Sequence, residues 1–219
     1  MVPPRATTAA GAPQGSPRRR YDSPLRAKRA EETRAALIAT ATELFTTKGW
    51  ANTGMREVAR EAGVAVETLY SHYSSKRKLL DAVVDHAVMG DDEPVAVADR
   101  PEFLAIGQGR RADRIAAAAA LVAAVHDRTG PFAKLIREAA TTDDEIAEVL
   151  RATRERQRKD IEAGLGLILG RPPSDDERDG MWAILSPEIY LLLVQESGWS
   201  PERYERWLAE MLARALPRA

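Results

Sequence analysis

Apolar side chains recur at helical spacing along most of this chain. Leu37, Ile38, Ala41, Leu44 and Phe45 fall at i, i+1, i+4, i+7 and i+8, one stripe of an α-helix. The pattern predicts a helix from about Leu25 to Lys48, ended by Gly49. Val58, Ala59 and Ala62 then repeat at the same spacing, Gly63 suits a sharp corner, and Val64 plugs it. In the next short helix Leu69 points inward, while Val66, Glu67, Thr68, Tyr70, Ser71 and His72 are left largely outside. Two short helices around a glycine corner, the second offering polar side chains, are the sequence shape of a helix-turn-helix that lays its second helix in the major groove of DNA. Ser74 or Ser75 caps a following helix, Lys76 to about Val88, with Leu79, Leu80, Val83 and Val84 inward.

Beyond the acidic, turn-forming segment 90–100 the organisation changes. Pro101 opens a short helix with Phe103, Leu104 and Ile106, and Gly107 to Gly109 end it. Ala112 to His126, with alanines at 116–120, has high helix propensity. A break is expected at Thr129 to Pro131, then a short helix from Phe132 to Ala140 and a long one from about Asp143 to Leu169. The glycines of 164–170 lack both the preceding strand and the Gly-Lys-Ser ending of a phosphate loop, so they read as a packing surface. Ser174 and Glu177 make a capping box for a helix that Pro187 should kink. From Ile189 to Val194 that helix is apolar all round, which argues for a second buried surface, most simply a partner subunit. Ser200 and Pro201 open a last helix with Tyr204, Trp207, Leu208, Met211 and Leu212 inward.

No alternating β-branched run is present and aromatics make up only 5%, so the fold class is all-α. The expected domains are a basic N-terminal arm over 1–27, disordered by composition, a helix-turn-helix domain over 28–75, and a linking helix plus larger helical domain over 76–219. The net charge of −1 hides an asymmetry: residues 1–80 hold 14 Lys and Arg against 7 Asp and Glu, the remainder 18 against 26. A basic front and acidic back place the polyanion partner at the front, although the arm alone supplies most of the excess. Arg18, Arg19 and Arg20 could reach phosphates or the minor groove, or attract anions only diffusely. The chain has no cysteine, which excludes a disulfide scaffold and thiolate metal sites, and no apolar run of membrane-spanning length. His86 and His126 lack a metal-ligand companion at i+4, and no Ser, His and carboxylate arrangement emerges. No enzyme activity, cofactor or metal is expected, and the location is expected to be cytoplasmic.

The run from Thr33 to Leu80 resembles the DNA-binding domain of the tetracycline-repressor (TetR) family of bacterial transcription regulators. The resemblance rests on Leu44, Phe45, Gly49, Thr53, Arg56, Ala59, Ala62, Gly63, Val64, Thr68, Leu69, Tyr70, His72, Tyr73, Lys76 and Leu79, about a quarter of the chain. It implies that Val66, Glu67, Thr68, Tyr70 and Ser71 face bases or sugars, and that Arg56 can reach a guanine from the preceding helix. Thr53, Tyr70, His72, Tyr73 and Lys76 fall where phosphate contacts or their supports are made; Tyr73 and Phe45 also read as core. Thr53 is in addition a candidate N-cap. Two departures stand out: Ala65 replaces the usual capping serine, and Glu67 stands where relatives often have Gly or Pro. Glu67 either accepts from a cytosine amino group or turns away towards a lysine.

The resemblance further implies a homodimer on a pseudo-palindromic DNA operator, most often a repressor released by a small-molecule effector. The helices near 143–169 and 175–196 are the expected dimer face, with Arg151, Glu155 and Arg158 at its rim. Phe103, Phe132, Ile136, Met181, Trp182 and Tyr190 are candidate ligand-pocket residues, each of which reads equally as ordinary core. The rival readings are a helical protein-interaction or small-molecule-binding module without sequence-specific DNA binding, and a helical enzyme using one of the histidines.

Overall fold

The computed structural model describes residues 24–91 and 95–217, with no strand among them. The arginines 18–20 of the arm therefore lie outside the described residues. The first helix begins at Pro24, next to the Leu25 start that the apolar spacing predicts and inside the 1–27 span expected as an arm.

Helix α1 spans Pro24–Asn52 and loses helical geometry at Gly49 (φ 79°, ψ 171°), where the sequence predicts its end. Short helices α2 (Met55–Glu61) and α3 (Val66–His72) follow, then α4 (Lys76–Met89), whose first turn is capped by the Ser75 hydroxyl accepting from the Lys78 amide. Gly90 closes α4 in the left-handed region (φ 82°). After a 3-10 turn, α5 (Pro101–Leu104) leads through another into α6 (Arg111–Ala139). Helix α7 (Asp144–Leu169) starts under the Asp143 side chain, which accepts from the Glu145 and Ile146 amides, and ends at Gly170 (φ 69°). Then come α8 (Asp175–Ile184), α9 (Pro187–Tyr190) and α10 (Pro201–Ala215). The predicted capping box forms: Glu177 donates its amide to Ser174 Oγ at 3.2 Å, and Ser174 its amide to Glu177 Oε2 at 2.8 Å.

Three expectations require correction. No break occurs at Thr129 to Pro131, and the separate helix from Phe132 is the second half of α6. The Thr129 hydroxyl donates to the Val125 carbonyl at 2.8 Å, and Gly130 allows the Tyr190 ring to within 3.1 Å of where a Cβ would stand, so neighbours support the proline-bearing turn. Pro187 does not kink one helix but separates two: α8 stops at Ile184 and Pro187 takes the first position of α9, where its missing N–H costs nothing. Finally, Ile189–Val194 is largely covered by its own chain. Tyr190 and Leu191 are buried, Ile189, Leu193 and Val194 half-buried, and only Leu192 is substantially exposed, at 49%. The segment Leu191–Glu196 winds as a π-helix, and its apolar side chains join the cluster formed with α6 and α10.

Two buried clusters hold the chain. One joins α1 to α4 with Phe132, Leu135 and Ile136 of α6 and Ile146 and Val149 of α7, so the N-terminal helices share their core with the larger bundle. The other is centred on Leu165, Tyr204, Leu208 and Leu212. Among the described residues no helix is long and apolar enough to cross a membrane.

Candidate nucleic-acid interface and interior cavity

The corner between α2 and α3 is set by backbone geometry. Gly63 adopts φ 69°, its amide donates to the Arg60 carbonyl at 3.1 Å, and the Val64 amide donates to Ala59 at 2.9 Å. Helix α3 begins at Ala65 without a side-chain cap, as the missing serine predicts. It is held by Leu69, which is fully buried, and by Val66, which is half-buried against the same cluster. Because Leu69 and Val66 anchor one side of the helix, the opposite face is free: Glu67, Tyr70, Ser71 and His72 are exposed and Thr68 is half-exposed. Tyr70 is 48% exposed, unusual for a tyrosine with no ring or hydroxyl partner among the described residues.

Charges around the corner are unevenly committed. Lys48 pairs with Glu57 at 2.5 Å and Arg60 with Glu61 at 2.8 Å. The Lys48 hydrogen bond holds the Glu57 carboxyl below the usual range. Arg56, exposed at the start of α2, has no ion pair or hydrogen bond among the described residues, and Glu67 has no lysine partner. The α2–α3 corner thus exposes an uncommitted guanidinium, carboxylate and tyrosine, donors and acceptors available to a ligand.

Two expected contact residues are engaged inward. Thr53 is only 2% exposed, and its hydroxyl donates to the carbonyls of Leu44 and Gly49 at 3.1 and 3.0 Å. It is not the N-cap of α2 either, since that position belongs to Gly54. Thr53 therefore ties the α2 entry to the end of α1. Tyr73 is buried in the shared core, its ring beside His72. The Lys76 ammonium donates to the Trp50 carbonyl and lies 4.0 Å from the centre of the Trp50 ring; burial lowers its pKa. The Trp50 indole N–H in turn donates to Asp143 Oδ2 at 2.8 Å. This chain from α4 through the end of α1 to the start of α7 links the N-terminal helices to the body. Sequence reading missed it, because 93 residues separate Trp50 from Asp143.

A cavity of about 260 Å³ lies between α4, α5, α6 and α7. Phe103, Phe132 and Ile136 of the expected pocket residues line it, while Met181, Trp182 and Tyr190 do not. Met181 is buried in the second cluster, and Trp182 lies beneath the Arg158 guanidinium at 4.9 Å. Tyr190 packs edge-on to Tyr204 and donates to Asp127 at 2.7 Å. Helical spacing identified these side chains as inward, but not which interior they enter. Helix α4 supplies Val84, Asp85, Val88 and Met89 to the cavity, a contribution the sequence reading did not assign.

His126 is 3% exposed and lines the cavity, with Nδ1 2.9 Å from the Tyr204 hydroxyl. Burial pushes its pKa down to about 4, so the ring is neutral at pH 7. No group of three or more His, Cys, Asp or Glu suited to a metal occurs among the described residues.

Comparison with known proteins accords with this geometry. Residues 37–83 match the family model described as bacterial regulatory proteins, tetR family. Over 64 residues the chain is 42% identical to the HTH-type transcriptional activator FasR of Mycolicibacterium smegmatis, covering 27% of this chain and 29% of that protein. Over 56 residues it is 38% identical to an HTH-type transcriptional repressor of Mycobacterium tuberculosis, covering 26% and 30%. These matches span less than a third of the curated relatives' length. The fold is shared more widely. A TetR-family regulator from Rhodococcus sp. superposes with TM-score 0.65 at 17% identity, over 85% of this chain and 100% of that one. One from Mesorhizobium loti gives 0.65 at 20% identity, over 86% and 96%. Residues 37–83 thus carry the DNA-binding domain of the tetR family of bacterial regulatory proteins, and the chain as a whole has the fold of TetR-family regulators.

Proposed function

We propose that this protein is a sequence-specific DNA-binding transcriptional regulator, a cytoplasmic homodimer on a pseudo-palindromic operator, and that it represses until a small ligand enters the α4–α6–α7 cavity. The observation that carries the reading is the α2–α3 corner, where buried Leu69 anchors a helix whose exposed face presents Tyr70, Ser71 and Glu67 beside the uncommitted Arg56. Arg56, Val66, Glu67, Thr68, Tyr70 and Ser71 are the proposed readers, and His72 and Lys76 the phosphate anchors. Thr53 and Tyr73 hold these residues in place from within. Lys76 keeps donors for a phosphate beyond the one given to Trp50.

Two reading heads require a two-fold partner. The proposed dimer face combines α7 with α8 and α9 and includes the exposed Leu192. At its rim Arg151 pairs with Glu148 and Arg158 with Asp179, while Glu155 is exposed. The effector role is supported by α4, which enters the head with Leu79 and Leu80 and walls the cavity with Val84 and Val88. Of the relatives with similar reading domains, one is named an activator and another a repressor, so that domain does not set the sign.

Selection of bound genomic fragments followed by footprinting tests the reading: a short symmetric protected site is expected. Losing a bidentate arginine contact to guanine costs about 1–3 kcal/mol. Arg56→Ala should therefore weaken operator binding by about tenfold or more and relax the choice at one base pair per half-site. Unchanged affinity and specificity would remove Arg56 from the readers, and absence of any symmetric footprint would favour a protein-interaction module.

A further inference from the structure

We propose that the cavity takes a cationic amphiphile, an apolar tail of about eight carbons whose ammonium group is held by Asp160 at the rim. The inference rests on the reading of this cavity as the effector site and names the chemistry it selects. The walls are mainly Val, Leu, Ile and Phe side chains around about 260 Å³. A cavity of about 150 Å³ admits a benzene ring, so this larger space suits an apolar tail of about eight carbons.

The polar groups on the lining decide the head group. Asp85 is paired with Arg156 at 3.0 Å, the Thr129 hydroxyl donates to Val125, and Gln157 donates to the Leu185 carbonyl at 3.3 Å. His126 is neutral at pH 7 and engages Tyr204 through Nδ1, leaving Nε2 as the ring nitrogen without a partner among the described residues. The Thr153 hydroxyl is buried and unpartnered. Asp160 stands exposed at the rim and accepts no hydrogen bond among the described residues, and Arg156, whose charge acts on it, is already committed to Asp85. The cavity edge therefore carries one carboxylate more than its cations balance. Partial burial against the cavity mouth raises its pKa, and the Arg156 charge opposes that.

A carboxylate or phosphate ligand would meet two acids and one occupied guanidinium. An alcohol could bond Thr153 or His126, yet would gain nothing from the carboxylate at the rim. An ammonium satisfies the unpaired carboxylate while its tail fills the apolar space.

Titration calorimetry of octylammonium, octanol and octanoate into the full-length protein at pH 7 tests this. Octylammonium should bind about tenfold more tightly than octanol, with octanoate weakest. In Asp160→Asn the tenfold preference should vanish while octanol binding persists, which also reports that the cavity is intact. Ala133→Trp, which fills the cavity, should abolish all three. An unaltered preference in Asp160→Asn, tightest binding of octanoate, or undiminished binding in Ala133→Trp would each overturn the proposal. Release of operator DNA is a separate readout: Asp160-dependent binding without release supports the head-group assignment and refutes the effector reading.

Discussion

Acidification from pH 7.5 to pH 5 should weaken this fold through one buried residue, His126. His126 is fully enclosed, and burial lowers its pKa from an ordinary 6.5 to about 4, against a small opposing pull from Glu188. The folded state thus binds the proton less readily than the unfolded chain. Stability linked to His126 is fully present above pH 6.5 and declines as the pH falls towards 4, since the unfolded state gains the proton first. One pKa unit corresponds to 1.36 kcal/mol, so between pH 7.5 and pH 5 the expected loss is about 2 kcal/mol. For a chain of this length that lowers the melting temperature by about 4–8 °C.

The control must remove the titrating ring without orphaning its partner. His126→Phe alone leaves the Tyr204 hydroxyl buried and unbonded, whereas His126→Phe with Tyr204→Phe removes both polar ends and is closer to neutral at pH 7. Urea unfolding should give a stability difference between wild type and double variant that moves by about 2 kcal/mol in favour of the variant from pH 7.5 to pH 5. An unchanged difference across that range would refute the assignment of the acid sensitivity to His126.

Two further perturbations probe the connection between head and body. Trp50→Phe keeps a ring for Lys76 but deletes the N–H given to Asp143; it should melt below wild type, and Asp143→Ala lower still, because that carboxylate also caps α7. Equal melting curves for the two variants and wild type would show that the link contributes nothing. Leu69→Ala removes a fully buried side chain and should cost about 2–5 kcal/mol, abolishing operator binding and raising amide exchange across α2 and α3; retained exchange protection there would contradict the anchoring role.

What the sequence reveals here is largely what neighbours along the chain decide. The caps at Ser174 and Ser200, the α4 cap to within one residue of Ser75, and the glycine corners at 49 and 63 are legible, because each involves residues within a few positions of one another. Helix α6 was misread at Pro131 because the contacts that sustain it come from elsewhere, notably the Tyr190 ring against Gly130. The same limit applies to the site. The outer face of α3 follows from periodicity and Arg56 from the family resemblance, but the inward commitment of Thr53 depends on the end of α1 folding back over it. Tyr190 and Phe132 have similar apolar surroundings in sequence, yet one joins the aromatic cluster with Tyr204 and the other faces the cavity.

The arrangement of α4 explains why occupancy of the cavity could be felt at the reading head. Its first half contributes Leu79, Leu80 and Val83 to the core that holds α1 to α3, and its second half forms a wall of the cavity. Its far end is gripped by Arg128, which donates to the Ala87 and Val88 carbonyls at 2.8 and 3.0 Å, while Asp85 is held by Arg156 of α7. A ligand that pushes on Val84 and Val88 therefore acts on a rigid element fixed at both ends rather than on a loop. In the proposed dimer, a ligand would bias the spacing of the two heads only through a difference in affinity between arrangements of α4 that differ in that spacing. A tail that merely fills space would stabilise both. A head group that engages Asp160 on α7 while the tail presses α4 contacts both walls at once, so its binding energy changes when they move relative to each other.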